Sequence, residues 1–293
     1  MMAAVGFALV AASCSHPTDE TPNAAGPPDI RTIPVDLTIP AVTSDVPAAG
    51  RRVRVTAPEY AGTDVHHLLY LPTDWVAGGA YPVIVEYAGN GSYRNQHGDV
   101  STGLVEGSRL GYGISGGSGF IWVCLPFVDE TGKRNQRQWW GSVKRTVKYC
   151  KTVVPRVCEH FGGDANAIIL AGFSRGAIAV NFIGLHDSEI AAMWRGFICH
   201  SHYDGVRRWP YPGSGRAAAD IRLEHLGQRP QWISHERSVD ETRRHLVAAC
   251  PEGRFTFRAL PFRNHTDAWV LRDVPLRREL RSWALDVVRA KRE

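Results

Sequence analysis

The stretch that most constrains this chain runs from Ala167 to Val180 and reads Ala-Ile-Ile-Leu-Ala-Gly172-Phe173-Ser174-Arg175-Gly176-Ala-Ile-Ala-Val. A short apolar run with β-branched residues predicts a buried strand, a Gly-x-Ser-x-Gly pattern closes it, and helix-compatible residues follow. In the sharp turn this implies, the serine takes a strained backbone position, and the flanking glycines let strand and helix approach without Cβ clashes. The hydroxyl then stands clear of the sheet edge, which makes Ser174 the candidate nucleophile. The same pattern also occurs in ordinary glycine-rich turns, and it is the strand before and the helix after that favour the nucleophile reading.

Other segments alternate in the same way. Residues 33–39 predict a first strand, and Arg52 to Thr56 with Val65 to Leu71 alternate like an antiparallel edge hairpin. Tyr81 to Tyr87 and Phe120 to Leu125 are nearly continuous apolar runs, suited to strands covered on both faces. Trp139 to Phe161 predicts a long helix with Pro155 as a kink or boundary. Three more strands are expected at Gly196 to His200, Gln231 to Ser234 and Phe255 to Leu260, separated by helices near 216–226 and 239–249. A last helix is expected over 275–291. Strands alternating with helices predict an α/β fold: a mainly parallel central sheet, helices on both faces and an antiparallel N-terminal edge. In such sheets, sites gather at the carboxyl ends of the strands, where Gly89, Ser174, Asp240 and His265 all fall.

Length and composition narrow the function. With 293 residues, 44% of them hydrophobic, the chain can bury the core of one such domain. The 34 basic against 29 acidic residues give a net charge of +5, too mild to indicate nucleic acid, and the Lys/Arg clusters fit solvated helix faces. The chain divides into an export signal over 1–14, a flexible linker rich in Pro, Thr, Asp and Ala over 15–30, and the α/β domain over 31–293. Ala11-Ala12-Ser13-Cys14 has the small-residue character of an export cleavage site followed by a cysteine that can carry a lipid anchor, although a basic leader is missing. Export, as a periplasmic, outer-membrane or extracellular protein, is therefore expected. Cys150 and Cys158 lie on one helix, about 12 Å apart at 1.5 Å per residue, and cannot bridge. Cys124 and Cys199 read as buried, and a disulfide through Cys250 has no fixed partner.

A serine hydroxyl is a weak nucleophile at neutral pH and needs a base to take its proton and a carboxylate to orient that base. Both follow in the chain. His235-Glu236-Arg-Ser-Val-Asp240-Glu241 forms a carboxylate-bearing loop after the 231–234 strand, and Asn264-His265-Thr266-Asp267 follows the next strand. Serine, acid, histidine is the chain order of one triad architecture.

On these residues, together with Ala88-Gly89-Asn90-Gly91 and His265-Thr-Asp-Ala-Trp269, the chain resembles the α/β-hydrolase superfamily from about Val83 onward. It looks most like serine esterases of the polyhydroxyalkanoate depolymerase and feruloyl esterase kind, with some likeness to prolyl-oligopeptidase-type domains. The resemblance implies Ser174 as nucleophile, His265 as base and Asp240 as acid. Relatives commonly carry His-Gly before the acid; this chain has His235-Glu236, which keeps Glu236 as the alternative. Asp204 is a third choice, and Asp267 stands too close in sequence to His265. The oxyanion hole is expected to pair the backbone N–H of Arg175 with that of Asn90 or Gly89.

His200 and His202 could face one side of a strand as a metal pair, but no further ligands or Cys-x-x-Cys pattern accompany them, so neither metal nor cofactor is expected. Trp139, Trp140 and Tyr203, with Trp209 and Tyr211, either line a groove for a sugar or aromatic ester or pack the core. Arg175 and Arg207-Arg208 either attract an anionic substrate or are surface charge. The reading is an exported serine esterase acting on a carbohydrate-linked acyl ester or a polyester; the alternatives are a serine peptidase and a non-catalytic binding module.

Overall fold

The computed structural model describes residues 26–290. The export stretch, Cys14 and most of the expected linker lie outside the described residues. Nine strands form one sheet in the order β1 (Val42–Thr43), β2 (Arg52–Val55), β3 (His67–Tyr70), β7 (Ile121–Leu125), β4 (Tyr81–Tyr87), β8 (Gly163–Phe173), β9 (Gly196–His200), β10 (Gln231–Glu236) and β11 (Phe255–Leu260). From β7 to β11 every neighbouring pair is parallel, whereas β3 runs antiparallel to both β2 and β7. A separate antiparallel hairpin, β5 (Tyr93–Arg94) with β6 (Val100–Ser101), rises from the loop after β4.

Side chains alternate across the central strands, as a pleated backbone requires. Val83 and Val85 of β4 and Ile168 and Leu170 of β8 face one core, with α2 (Val143–Phe161) and α3 (Arg175–Phe182) packed on it. Ile84 and Ile169 face the other, covered by α1 (Leu110–Ser115) and α7 (Pro275–Arg289). Burial on both faces explains why these strands read as continuous apolar runs.

Three expectations change. The 33–39 segment is extended but joins no strand of the sheet: Pro34 and Pro40 lack N–H donors, and the backbone of Asp36 and Leu37 instead donates to the Leu271 carbonyl. The long helix starts at Val143, capped by the Ser142 side chain, because Trp139 and Gly141 take left-handed backbone angles; Pro155 lies within the helix, between Val153, Val154 and Val157, all buried. Cys250 is free, as are Cys124, Cys150, Cys158 and Cys199.

Candidate active site

The turn after β8 forms as its glycines require. A Cβ on Gly172 would strike the Gly176 backbone, and one on Gly176 would strike the Tyr87 carbonyl, so only glycine lets α3 start this close to β8 and β4. Ser174 sits between them at φ 55° and ψ −114°, a strained conformation held by its N–H bond to the His200 carbonyl at 2.9 Å.

Its Oγ donates to His265 Nε2 at 3.0 Å, and His265 Nδ1 donates to Glu236 Oε1 at 2.5 Å. With the Nδ1 proton committed to the carboxylate, Nε2 is left with the lone pair that faces the serine. Glu236 is in turn fixed by the Ser201 hydroxyl, which donates to Oε2 at 2.6 Å. Burial opposes ionisation of Glu236, but its hydrogen bond to His265 and the imidazoles of His265, His235 and His200 hold the carboxyl well below the usual carboxylate range. The three side chains therefore form one continuous hydrogen-bonded relay from a buried carboxylate to a serine at a strained turn.

Asp240, the acid implied by resemblance, is not part of this relay. Its exposed carboxylate accepts from the Ser238 hydroxyl at 2.8 Å, at the start of α6 (Asp240–Ala249). The physical reason is strand length: β10 continues two residues beyond Ser234, pairing His235 with Ala259 and Glu236 with Leu260. Glu236 thus becomes the last residue of the strand, on the same face as Trp232 and Ser234. Asp204 is buried against Arg222 at 2.8 Å, and burial raises its carboxyl to about 6. Asp267 pairs with Arg109 at 2.7 Å instead of His265.

A residue absent from the sequence reading fixes the histidine loop. Asp99, buried in the β5–β6 hairpin, accepts from the His265 N–H and from the Asn264 side chain, each at 2.9 Å. Tyr93 of the same hairpin meets the His265 ring edge-on at 5.1 Å, and Phe173 and His202 approach it at 5.0 and 5.2 Å. Burial pushes His202 down to about 3, so this wall is uncharged at neutral pH. Asp99, Tyr93 and Ser201 lay in polar loops or at a strand end where no periodicity marks them.

Asn90 and the Arg175 residue line a cleft of about 150 Å³ over Ser174 with Tyr93, Trp139, Ile178 and Trp209. Gly89 does not; it lines a neighbouring cavity with Phe173 and Ser101. The Asn90 side chain accepts from the Trp139 N–H at 2.8 Å. Arg175 carries the first N–H of α3, which has no preceding turn to bond. Its guanidinium is not available to a substrate: it is buried over the Phe127 ring and donates to the carbonyls of Trp139 at 2.8 Å and Gly103 at 3.1 Å. Burial lowers this guanidinium to about 9.

Of the expected lining residues, Trp139 borders the cleft, whereas Trp140 is buried and stacked on Phe182. Tyr203 is buried too, with its hydroxyl on Gln231 at 2.6 Å, and reaches only an adjoining larger cleft. His200 and His202 do not converge on one point: His200 is buried between Ser234, Thr266 and Trp269.

This sheet order, with a serine turn after β8 and a histidine loop after β11, settles the architecture. The chain has the α/β-hydrolase fold. An acetyl ester-xyloside bifunctional hydrolase from Caldicellulosiruptor lactoaceticus superposes with a TM-score of 0.56 at 14% identity, over 84% of this chain and 98% of that one. A putative dipeptidyl aminopeptidase IV from Bacteroides ovatus gives 0.56 at 15% identity, over 80% of this chain and 35% of its own. Two structures of the AtxE2 isopeptidase give 0.50 and 0.51 at 12% and 13% identity, each over 83% of this chain and 40% of that one. The chain thus spans well under two thirds of the length of these two peptidases. No known family model matches the chain, and no curated protein does.

Proposed function

We propose that this protein is a serine hydrolase that cleaves carboxylic esters through Ser174, His265 and Glu236. The observation that carries the reading is the unbroken relay from Glu236 to His265 to Ser174, at 2.5 and 3.0 Å. His265 takes the serine proton as Oγ attacks the ester carbonyl, and the same Nε2 returns it to the leaving alcohol. Glu236 keeps the imidazole in the required tautomer and balances the imidazolium. The backbone N–H groups of Arg175 and Asn90 receive the oxyanion of the tetrahedral intermediate. Water then attacks the acyl-enzyme by the same route in reverse. The small cleft over Ser174 suits a short acyl group, and the Trp139 and Trp209 rings beside it suit a sugar or polyester chain.

The test is hydrolysis of short and long p-nitrophenyl esters, paired with fluorophosphonate labelling. Wild-type protein is expected to hydrolyse the short ester and to be labelled on Ser174, while Ser174→Ala and His265→Ala lose turnover by several orders of magnitude. Inert wild-type protein with an unlabelled Ser174 would refute the reading. Acyl-p-nitroanilide cleavage at rates comparable to the ester would turn it toward a peptidase.

A further inference from the structure

We infer that the alcohol half of the substrate carries an anionic group, held by an arginine-lined cleft beside His265. The inference rests on the ester-hydrolase reading above and deepens it. Since His265 Nε2 delivers the proton to the leaving oxygen, the alcohol half lies on the His265 side of Ser174.

On that side the small cleft opens into one of about 520 Å³, sharing Tyr93, His202, Trp209 and His265 with it. Its charged lining is markedly one-sided. Arg207, Arg237 and Arg263 face it, whereas its sole carboxylate is Glu236, already committed to His265 and Ser201. Asp240 and Glu241 line an adjoining cleft of about 480 Å³, which shares Arg207, Arg237 and Glu236 with this one, but neither lines the 520 Å³ cleft itself. Arg207 has only a loose pair with Glu241 at 3.7 Å, and Arg263 is tied to Asp29 at 3.0 Å. Arg237 is exposed and has no ion pair among the described residues.

The backbone of Arg237 adds to this. It stands at φ 68°, directly after Glu236, with its N–H bonded to the Leu260 carbonyl at 2.8 Å. A bulky residue in the left-handed region is strained relative to glycine or asparagine, and strain of this kind clusters at functional sites. Here it holds an unpaired guanidinium at the mouth of the cleft next to the triad. The planar fork of arginine matches carboxylate and phosphate oxygens, and a cleft lined by one sign of charge concentrates the opposite charge.

The probes are 4-acetoxybenzoate and 4-acetoxyphenyl phosphate, with 4-acetoxybenzamide as the neutral counterpart of similar shape. Binding is measured to Ser174→Ala protein, and turnover to wild type. At low ionic strength an anionic probe should bind Ser174→Ala protein about fivefold to tenfold tighter than the amide, an advantage that shrinks toward unity in about 0.5 M salt. Arg237→Gln combined with Arg207→Gln should lower the anionic-to-neutral ratio of kcat/KM by a similar factor, whereas Arg208→Gln, outside the cleft lining, should not change it. Which anionic probe binds tighter tells carboxylate from phosphate. Equal affinity for anionic and neutral probes, or a preference indifferent to the two substitutions, overturns the inference even if all three esters are hydrolysed. Tight, salt-sensitive anion binding without any turnover by wild type supports the cleft assignment and overturns the hydrolase reading instead.

Discussion

Glu236→Gln against Asp240→Asn is the sharpest test of the triad, because the two carboxylates lie four residues apart and only one touches His265. In Glu236→Gln the charge opposite the imidazolium disappears, but the hydrogen-bond pattern can survive. The amide oxygen can still accept from His265 Nδ1, provided the Ser201 hydroxyl, now 2.6 Å from the other Glu236 oxygen, turns to accept from the amide nitrogen. A triad whose carboxylate is replaced and whose tautomer is lost drops about 10⁴-fold in kcat, or about 5.5 kcal/mol. With the tautomer kept by Ser201, Glu236→Gln should fall by only about 10²- to 10³-fold, or about 3–4 kcal/mol. Glu236→Leu, which has no acceptor at all, should reach the full loss. Asp240→Asn should stay within about twofold of wild type, since its exposed side chain bonds Ser238 and does not touch His265. The assay is p-nitrophenyl ester hydrolysis from pH 4 to 9, with circular dichroism to confirm folding. If Asp240→Asn falls by orders of magnitude while Glu236→Gln remains active, Glu236 is not the acid that serves His265.

Three further outcomes follow from the same geometry. Asp99→Ala removes two acceptors from the histidine loop, so kcat should drop about 10-fold or more and thermal stability should fall by about 1–3 kcal/mol, read by kinetics and by melting. Gly176→Ala should be strongly destabilised, by about 3 kcal/mol or more, because its Cβ would enter the space of the Tyr87 carbonyl; unchanged melting would show that α3 can shift away. Burial opposes ionisation of Glu106, but His66 at 3.0 Å and Arg54 bring its pKa down to about 2. A lowered carboxylate pKa contributes stability above the unfolded value of 4.5 that is lost as pH falls toward 2, so Glu106→Gln should flatten the melting temperature between those limits.

The fold was largely legible because its central strands are buried on both faces. Such strands announce themselves as apolar runs, and glycine at two positions of one turn leaves few ways to join β8 to α3. Ser174 and His265, which the structure brings within a hydrogen bond, stood out as candidates for the same reason: each follows a strand whose end is marked, by Gly172 and by Pro261. The carboxylate that meets His265 is Glu236, kept as the alternative, and not Asp240, which the resemblance implied; β10 hides this because it ends in polar residues. His235 and Glu236 are strand residues by backbone pairing, but their side chains are polar, so hydropathy ends the strand two residues early and makes Glu236 look like a loop residue. Asp99 left no mark at all. It acts through two hydrogen bonds to a loop 165 and 166 residues away, and nothing local distinguishes it from other polar residues in a glycine-rich loop.

Arg175 fits neither sequence expectation, an attractor of anionic substrate or a surface charge, because its side chain is buried. The structure buries its charge without a carboxylate, an arrangement that costs several kcal/mol unless the donors are well placed. Its donors meet the carbonyls of Trp139 and Gly103, and Trp139 in turn donates its N–H to Asn90. In the proposed mechanism one residue thus offers its backbone N–H to the oxyanion while its side chain holds Trp139, which in turn bonds Asn90, the proposed second donor. If that is its role, Arg175→Met should fold, because a buried charge is replaced by an apolar chain of similar length, and should lower kcat by about 10- to 100-fold with KM little changed, as expected when an interaction made only in the transition state is loosened. A rise in KM with kcat intact would instead mean that the guanidinium reaches the substrate and does not act by positioning.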